Sequence, residues 1–180
     1  MTTSEIAAKY KINKQYFQSF IEYNGFVYKK QLHDWVVPDD KVEQYVQLFK
    51  KDLIRYNEEQ KAISQILLTS GYNFEGYKII KYSDYISGDG TVQIPRSGMF
   101  GGDNNSNLSD AIGKIRKQAI INLKEEAYAL GCNAIIGLDF DYITIAPETA
   151  NFVGGTLYEP YVICVTANGN AVIIEKTTED

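Results

Sequence analysis

Residues 66–82, ILLTSGYNFEGYKIIKY, decide the fold of most of this chain. Ile66-Leu67-Leu68-Thr69 is a short apolar run ended by Ser70-Gly71. A second run, Tyr77-Lys78-Ile79-Ile80-Lys81-Tyr82, starts after Gly76, so strand follows strand across a turn. Residues 85–87 and 91–94 extend the sheet on either side of Gly88-Asp89-Gly90, whose glycines, like Gly71 and Gly76, read as turn residues. Residues 101–107 read as a polar loop and Ser109 as the cap of a helix. Over 110–130, Ile112, Ile115, Ala119, Leu123, Ala127 and Leu130 recur at three and four, an amphipathic helix stopped by Gly131. Residues 134–142, AIIGLDFDY, begin as a continuous apolar run and alternate from Leu138, which puts Asp139 and Asp141 on one exposed face. The end of the chain, 161–175, YVICVTANGNAVIIE, reads as a two-strand hairpin around an Asn168-Gly169 type I′ turn. The sum is an α+β domain, a mostly antiparallel sheet with one long helix against one face, two layers in all.

In that order, residues 66–177 resemble the YbjQ-like family of small bacterial proteins. The resemblance is carried by Gly76-Tyr77, Asn133-Ala134, Ile136-Gly137, Asp139, Asp141-Tyr142, and Gly169 with Ala171-Val172. It implies a ring-forming, dodecin-related fold that assembles as a homopentamer and carries a heavy-metal-binding label. Among these residues Asn133, Asp139, Asp141 and Tyr142 are the candidate ligand-binding positions. The chain departs from the family at Cys132, where a small Ala is usual, at Asn170, where Thr is usual, and in a longer loop over 148–159.

The metal label meets a thin donor set. Soft metals favour thiolate and imidazole, and residues 66–177 offer Cys132, Cys164 and no His. Cys164 alternates inside an apolar strand and reads as core. Cys132, Asp139 and Asp141 are the candidate metal ligands, the two carboxylates being suited to a hard divalent cation. Solvation of that strand face, or pairing with Lys78, Lys81 or Arg96, is the structural alternative. No nucleophile elbow, Ser with a nearby His, P-loop or dinucleotide fingerprint occurs, so the expectation is a non-enzymatic protein.

Residues 1–57 lie outside the resemblance. Ser4 reads as the cap of a first short helix and Asn13 as the cap of a second over 14–23. Asn24-Gly25 leads into a strand at Phe26-Val27-Tyr28, and Pro38-Asp39 opens a long helix with Val42, Tyr45, Val46, Phe49, Leu53 and Tyr56 as its apolar stripe. The layout resembles the small winged-helix heads of excisionase-like and MerR-like proteins. On that resemblance Lys14, Gln15 and Gln18 would reach base edges while Lys9, Lys29 and Lys30 meet phosphates. The same head could instead bind protein. Trp35 reads as a core ring holding the wing against the third helix, and His33, the only His, makes no metal site unaided. Residues 58–65, charged and free of Pro and Gly, read as a helical joint.

The 180 residues, 44% apolar and 23% charged, suit two small soluble units. The net charge of -5 divides unevenly: residues 1–57 hold nine Lys or Arg against seven Asp or Glu, the remainder nine against sixteen. Nucleic-acid contact therefore falls to the first part. Two cysteines without a CxxC pair point to a reduced, cytoplasmic setting, and no leader or membrane span is expected. The expected function is a homo-oligomeric scaffold presenting heads for multivalent DNA or protein binding. The alternative is a ring that binds a metal or small molecule at subunit boundaries.

Overall fold

The computed structural model describes residues 1–26, 29–31, 34–94, 104–145, 150–152, 155–157 and 161–177. Val27, Tyr28, His33, Arg96 and half of the 148–159 loop lie outside the described residues. The chain divides into two compact units, Met1–Lys61 and Ala62–Asp180.

In unit 1, α1 (Thr3–Tyr10) is capped by Thr2. Thr2 Oγ1 accepts from Glu5 N, and Glu5 Oε2 accepts from Thr2 N at 2.8 Å, a complete capping box. The expected cap, Ser4, instead donates its hydroxyl to Asp34 at 2.7 Å. Lys11, left-handed at φ 53°, ends α1, and Asn13 caps α2 (Lys14–Tyr23) by accepting from Tyr16 N. The hairpin strands β1 (Lys29–Gln31) and β2 (Asp34–Val36) follow, so the strand lies beyond the Phe26 start expected for it. The long α3 (Asp39–Ser64) comes next. Ile6, Phe17, Ile21, Val37, Val42, Tyr45, Val46 and Phe49 form the core, with Phe17 edge-on to Phe49 at 5.3 Å. Tyr56 departs from the predicted stripe and is exposed. Trp35 is half-buried outside this core, its indole N–H donating to Glu22 of α2.

Asp34 ties the helices to the hairpin. Its carboxylate accepts from the hydroxyls of Thr3 and Ser4 and from Gln18 Nε2, and pairs with Lys14 Nζ at 2.8 Å. The hydrogen bonds from Lys14 and Ser4 hold its carboxyl down to about 2.

Unit 2 is a four-stranded sheet in the order β3-β5-β8-β4. Its strands are β3 (Leu67–Leu68), β4 (Tyr77–Ile94), β5 (Ala134–Ile145) and β8 (Tyr161–Lys176). Only β3 pairs in parallel, with β5. α4 (Asn104–Ala129) covers one face, burying Ile115, Ala119, Leu123 and Ala127 against Ile86, Ile135, Val165, Ala167 and Ala171. A small separate hairpin, β6 (Ala150–Phe152) with β7 (Gly155–Leu157), lies within the loop.

Three sequence expectations fail here, two of them because glycine admits a close neighbour within a strand. Asn168-Gly169 is not a turn: β8 runs straight through it, bonded to β4 on one side and β5 on the other, with Gly169 opposite Ile86. A Cβ on Gly169 would stand 2.6 Å from Ile135 Cγ2, so glycine here admits a neighbouring side chain. Gly88 and Gly90 are not turn residues either, since β4 is continuous from Tyr77 to Ile94. Their side-chain face is where α4 sits: a Cβ on Gly88 would meet Leu123 N at 2.3 Å, and one on Gly90 would meet Ile115 O at 2.2 Å. Ser109 is not the cap, because α4 begins at Asn104 within the expected loop.

Candidate functional site

With α4 on one face, the other face of the sheet is uncovered over its middle and far end among the described residues. Register fixes its rows. Asp89 of β4 and Asp141 of β5 flank Thr166 of β8, and Ser87 and Asp139 flank Asn168 in the next row. Thr166 Oγ1 donates to Asp89 Oδ1 at 2.6 Å, and Asn168 Nδ2 donates to Asp141 Oδ2 at 2.8 Å. Asp139 accepts from Phe140 N. Asp139 and Asp141 share this face, as alternation requires. Their partners are neutral: Lys78 pairs with Glu175, and Arg96 lies outside the described residues. At the near end of the face Ala134, Ile136, Val172 and Ile174 are covered by Phe74 and Tyr77. At the far end Ile143 and Ile145 are exposed.

The remaining predicted positions are not gathered there. Asn133 is engaged by the backbone, its amide donating to Ile174 O at 2.9 Å and accepting from Ile174 N at 2.8 Å. This mimics one step of a strand ladder. Tyr142 pairs with Val165 on the helix face, where Arg116 donates to its hydroxyl and lies over its ring. Cys132 is buried in the α4-side core. Cys164, expected in the core, is half-buried on the open face between Thr91 and Ile143. The two thiols therefore lie on opposite sides of the sheet, and within one copy this donor set does not fit a soft metal. Among the described residues no three His, Cys, Asp or Glu side chains converge to hold a metal ion.

Sequence reasoning missed Asp89, Thr166 and Asn168, because Gly-Asp-Gly and Asn-Gly carry turn chemistry. The usable signal was period-two alternation running through Asn168-Gly169 from Val165 to Ala171.

The margins of the sheet differ. β4 is an outermost strand, and no described strand pairs its outer side. β5 is covered by β3 at Ala134 and Ile135 only. Gly137, left-handed at φ 64°, then forms a bulge that turns Gly137 N to Gly71 O and Leu138 N to Thr69 O. Beyond it, residues 139–145 have no described strand on their outer side.

In unit 1, Lys14 and Gln18 are bound to Asp34, and Gln18 Nε2 also donates to Thr3. Gln15 is exposed, Lys9 lies over the Tyr10 ring, and Lys29 and Lys30 are in β1. No helix among the described residues is long and apolar enough to cross a membrane.

Residues 66–175 match the YbjQ family, described as "putative heavy-metal-binding". The chain belongs to this family. UPF0145 proteins of Clostridium kluyveri and Acetivibrio thermocellus are each 32% identical to it over 118 residues. These matches take in 61% of this chain and the whole of each relative. A UPF0145 protein of Listeria monocytogenes is 28% identical over 117 residues, with 96% of its length matched. A solved structure of a DUF74-family protein from Pediococcus pentosaceus is 21% identical, with a TM-score of 0.40, over 61% of this chain and 98% of that one. Residues 1–65 of this YbjQ-family chain precede the family match.

Proposed function

We propose that this YbjQ-family chain is a non-enzymatic, self-assembling binding protein. In this reading unit 2 joins identical copies through its open sheet margins, and unit 1 is the binding head carried on the assembly. The observation behind it is β4, 18 residues long, with no described strand on its outer side and with Ile80, Tyr82 and Tyr85 exposed. Soluble proteins blunt such edges with short strands, charges or bulges, or else pair them. Bulges near Ile80 and between Tyr82 and Tyr85 bend the near end of β4, but the run from Tyr85 to Ile94 is regular. The opposite margin, residues 139–145, likewise has no described strand on its outer side. One open margin of each kind allows head-to-tail joining, which closes into a ring when the rotation closes. We take the homopentamer implied by the family resemblance as that ring, in a cytoplasmic setting.

For the head we favour a protein partner over DNA, because Lys14 and Gln18 are already held by Asp34. The test of assembly is the mass of the full chain by light scattering. A multiple of 20.3 kDa is expected, falling to one copy when Ile80 and Tyr82 are both changed to Glu. A single-copy mass for the unaltered chain overturns the proposal. A shift of a DNA fragment at physiological salt, abolished by Lys29→Glu with Lys30→Glu, would instead favour DNA.

A second reading is a divalent metal held between copies, favoured by Asp89, Asp139 and Asp141 sharing the open face without an ion pair among those described. Titration calorimetry of the assembled chain with magnesium, calcium and zinc decides it. Saturable heat that is lost in Asp139→Asn supports this reading, and no heat removes it.

A further inference from the structure

We infer that the open face of unit 2 binds a small aliphatic polyamine, its ammonium groups set on the carboxylates of β4 and β5. This goes beyond the assembly reading, because every group it uses lies within one copy.

Three carboxylates on this face lack a cation. Asp89, Asp139 and Asp141 are exposed and take part in no ion pair among those described. Each is held instead by a neutral donor: Thr166 for Asp89, Asn168 for Asp141, and the N–H of Phe140 for Asp139. Those bonds keep the carboxylates apart. Asp139 and Asp141 stand about 7 Å apart, two residues along one strand, and Asp89 stands roughly 10 Å from Asp141 across β8. Oxygens on one hard cation lie about 2.0–2.6 Å from it, hence within about 5 Å of each other. These groups as they stand therefore do not share a single ion. An extended 1,4-diamine, with five single bonds of about 1.5 Å between its nitrogens, spans roughly 6 Å. It sets one ammonium on Asp139 and one on Asp141, and a triamine offers a third to Asp89.

Two further features favour an organic cation. Asn168 is 8% exposed, and with Nδ2 given to Asp141 its Oδ1 accepts from no described residue. A buried amide oxygen without a donor is uncommon. Asn168 lies opposite Asp139 and bonds Asp141, so an ammonium between those carboxylates supplies the missing donor. Next along the face stand two tyrosine rings. Tyr85 is opposite Asn170 and 64% exposed. Tyr72 is 78% exposed, and a Cβ on Gly137 would meet its ring at 3.4 Å and Asn170 Nδ2 at 3.6 Å, which places that ring beside Asn170. Aromatic faces attract ammonium groups and cover the methylenes between them.

The test is titration calorimetry of the full chain at low ionic strength with spermidine, 1,4-diaminobutane, butylamine and magnesium chloride. Spermidine and the diamine are expected to give saturable heat and to bind at least tenfold tighter than butylamine. Asp139→Asn/Asp141→Asn, which keeps both hydrogen-bond acceptors, should lower their affinity at least tenfold. Tyr72→Ala should lower it about fivefold and Tyr72→Phe should not. These exposed Tyr72 variants carry the test if the double variant fails to fold, and light scattering on the same samples reports assembly separately. No heat with either polyamine, butylamine binding as tightly as the diamine, magnesium displacing spermidine at equal charge, or affinity unchanged in the variants overturns the inference. Saturable heat from magnesium without any from the polyamines also overturns it, in favour of the divalent-metal reading.

Discussion

Substituting Gly88 by Ala tests how α4 is seated on the sheet. The added Cβ would lie 2.3 Å from Leu123 N and 2.4 Å from Ala119 O, both backbone atoms, whereas ordinary contact begins near 3.4 Å. The helix must therefore withdraw by roughly 1 Å, a gap that forfeits a quarter to a half of each dispersion contact it opens. Ile115, Ala119, Leu123 and Ala127 are all buried beneath α4, so the loss is shared along the helix. We expect Gly88→Ala to destabilise unit 2 by about 3 kcal/mol, lowering the midpoint by roughly 10 °C. Gly113→Ala is the paired control. That glycine lies on the exposed side of the same helix with nothing within 4 Å of its Cβ position, so alanine should gain about 0.5–1 kcal/mol. Urea unfolding followed by circular dichroism measures both. A Gly88→Ala stability within about 0.5 kcal/mol of the unaltered protein, or the same sign for both substitutions, would refute the close seating of α4 on a glycine strip.

Asp34 gives a pH prediction. Its carboxyl is held at about 2 instead of 3.8 by Lys14 and Ser4, so it stabilises the head above pH 3.8. That contribution disappears as pH falls from about 4 towards 2. Asp34→Asn should weaken the head at neutral pH and flatten its acid-unfolding limb in that window, read by fluorescence of Trp35, the only tryptophan. Asn133→Ala should cost about 1–3 kcal/mol, because Ile174 N and O lose their partners in a mostly buried setting. Asn133→Asp, which can accept from Ile174 N but cannot donate to Ile174 O, should fall between Ala and Asn in chemical denaturation.

The order of elements in unit 2 and the periodicity of α4 were legible in sequence because both follow from which residues must face the core. The paired Asp139 and Asp141 were legible for the same reason, a two-residue period on a half-exposed strand. Asn168-Gly169 misled because its local turn preference is worth less than two flanking ladders, and only the sheet order reveals that β8 is central. Gly88-Asp89-Gly90 misled likewise: glycine in a strand can signal close approach of another backbone as well as a turn. Asn133 was read as a ligand position among the residues that carry the family resemblance and Cys132 as an available thiol, but a bulge at Gly137 and the change of face separate both from Asp139 and Asp141, and neither is visible as a spacing. In the head, Thr2 with Glu5 is a capping box one could have read, while the convergence of Thr3, Ser4, Lys14 and Gln18 on Asp34 is tertiary.

Assembly through β4 is measured most directly by hydrogen exchange at its alternate amides, those facing away from β8 between Tyr85 and Ile94. If another copy pairs this margin, these amides are protected alongside those that bond to β8, and their protection falls on dilution. Exchange at solvent rates from the outward amides, with the β8-facing set still protected at every concentration, would contradict it.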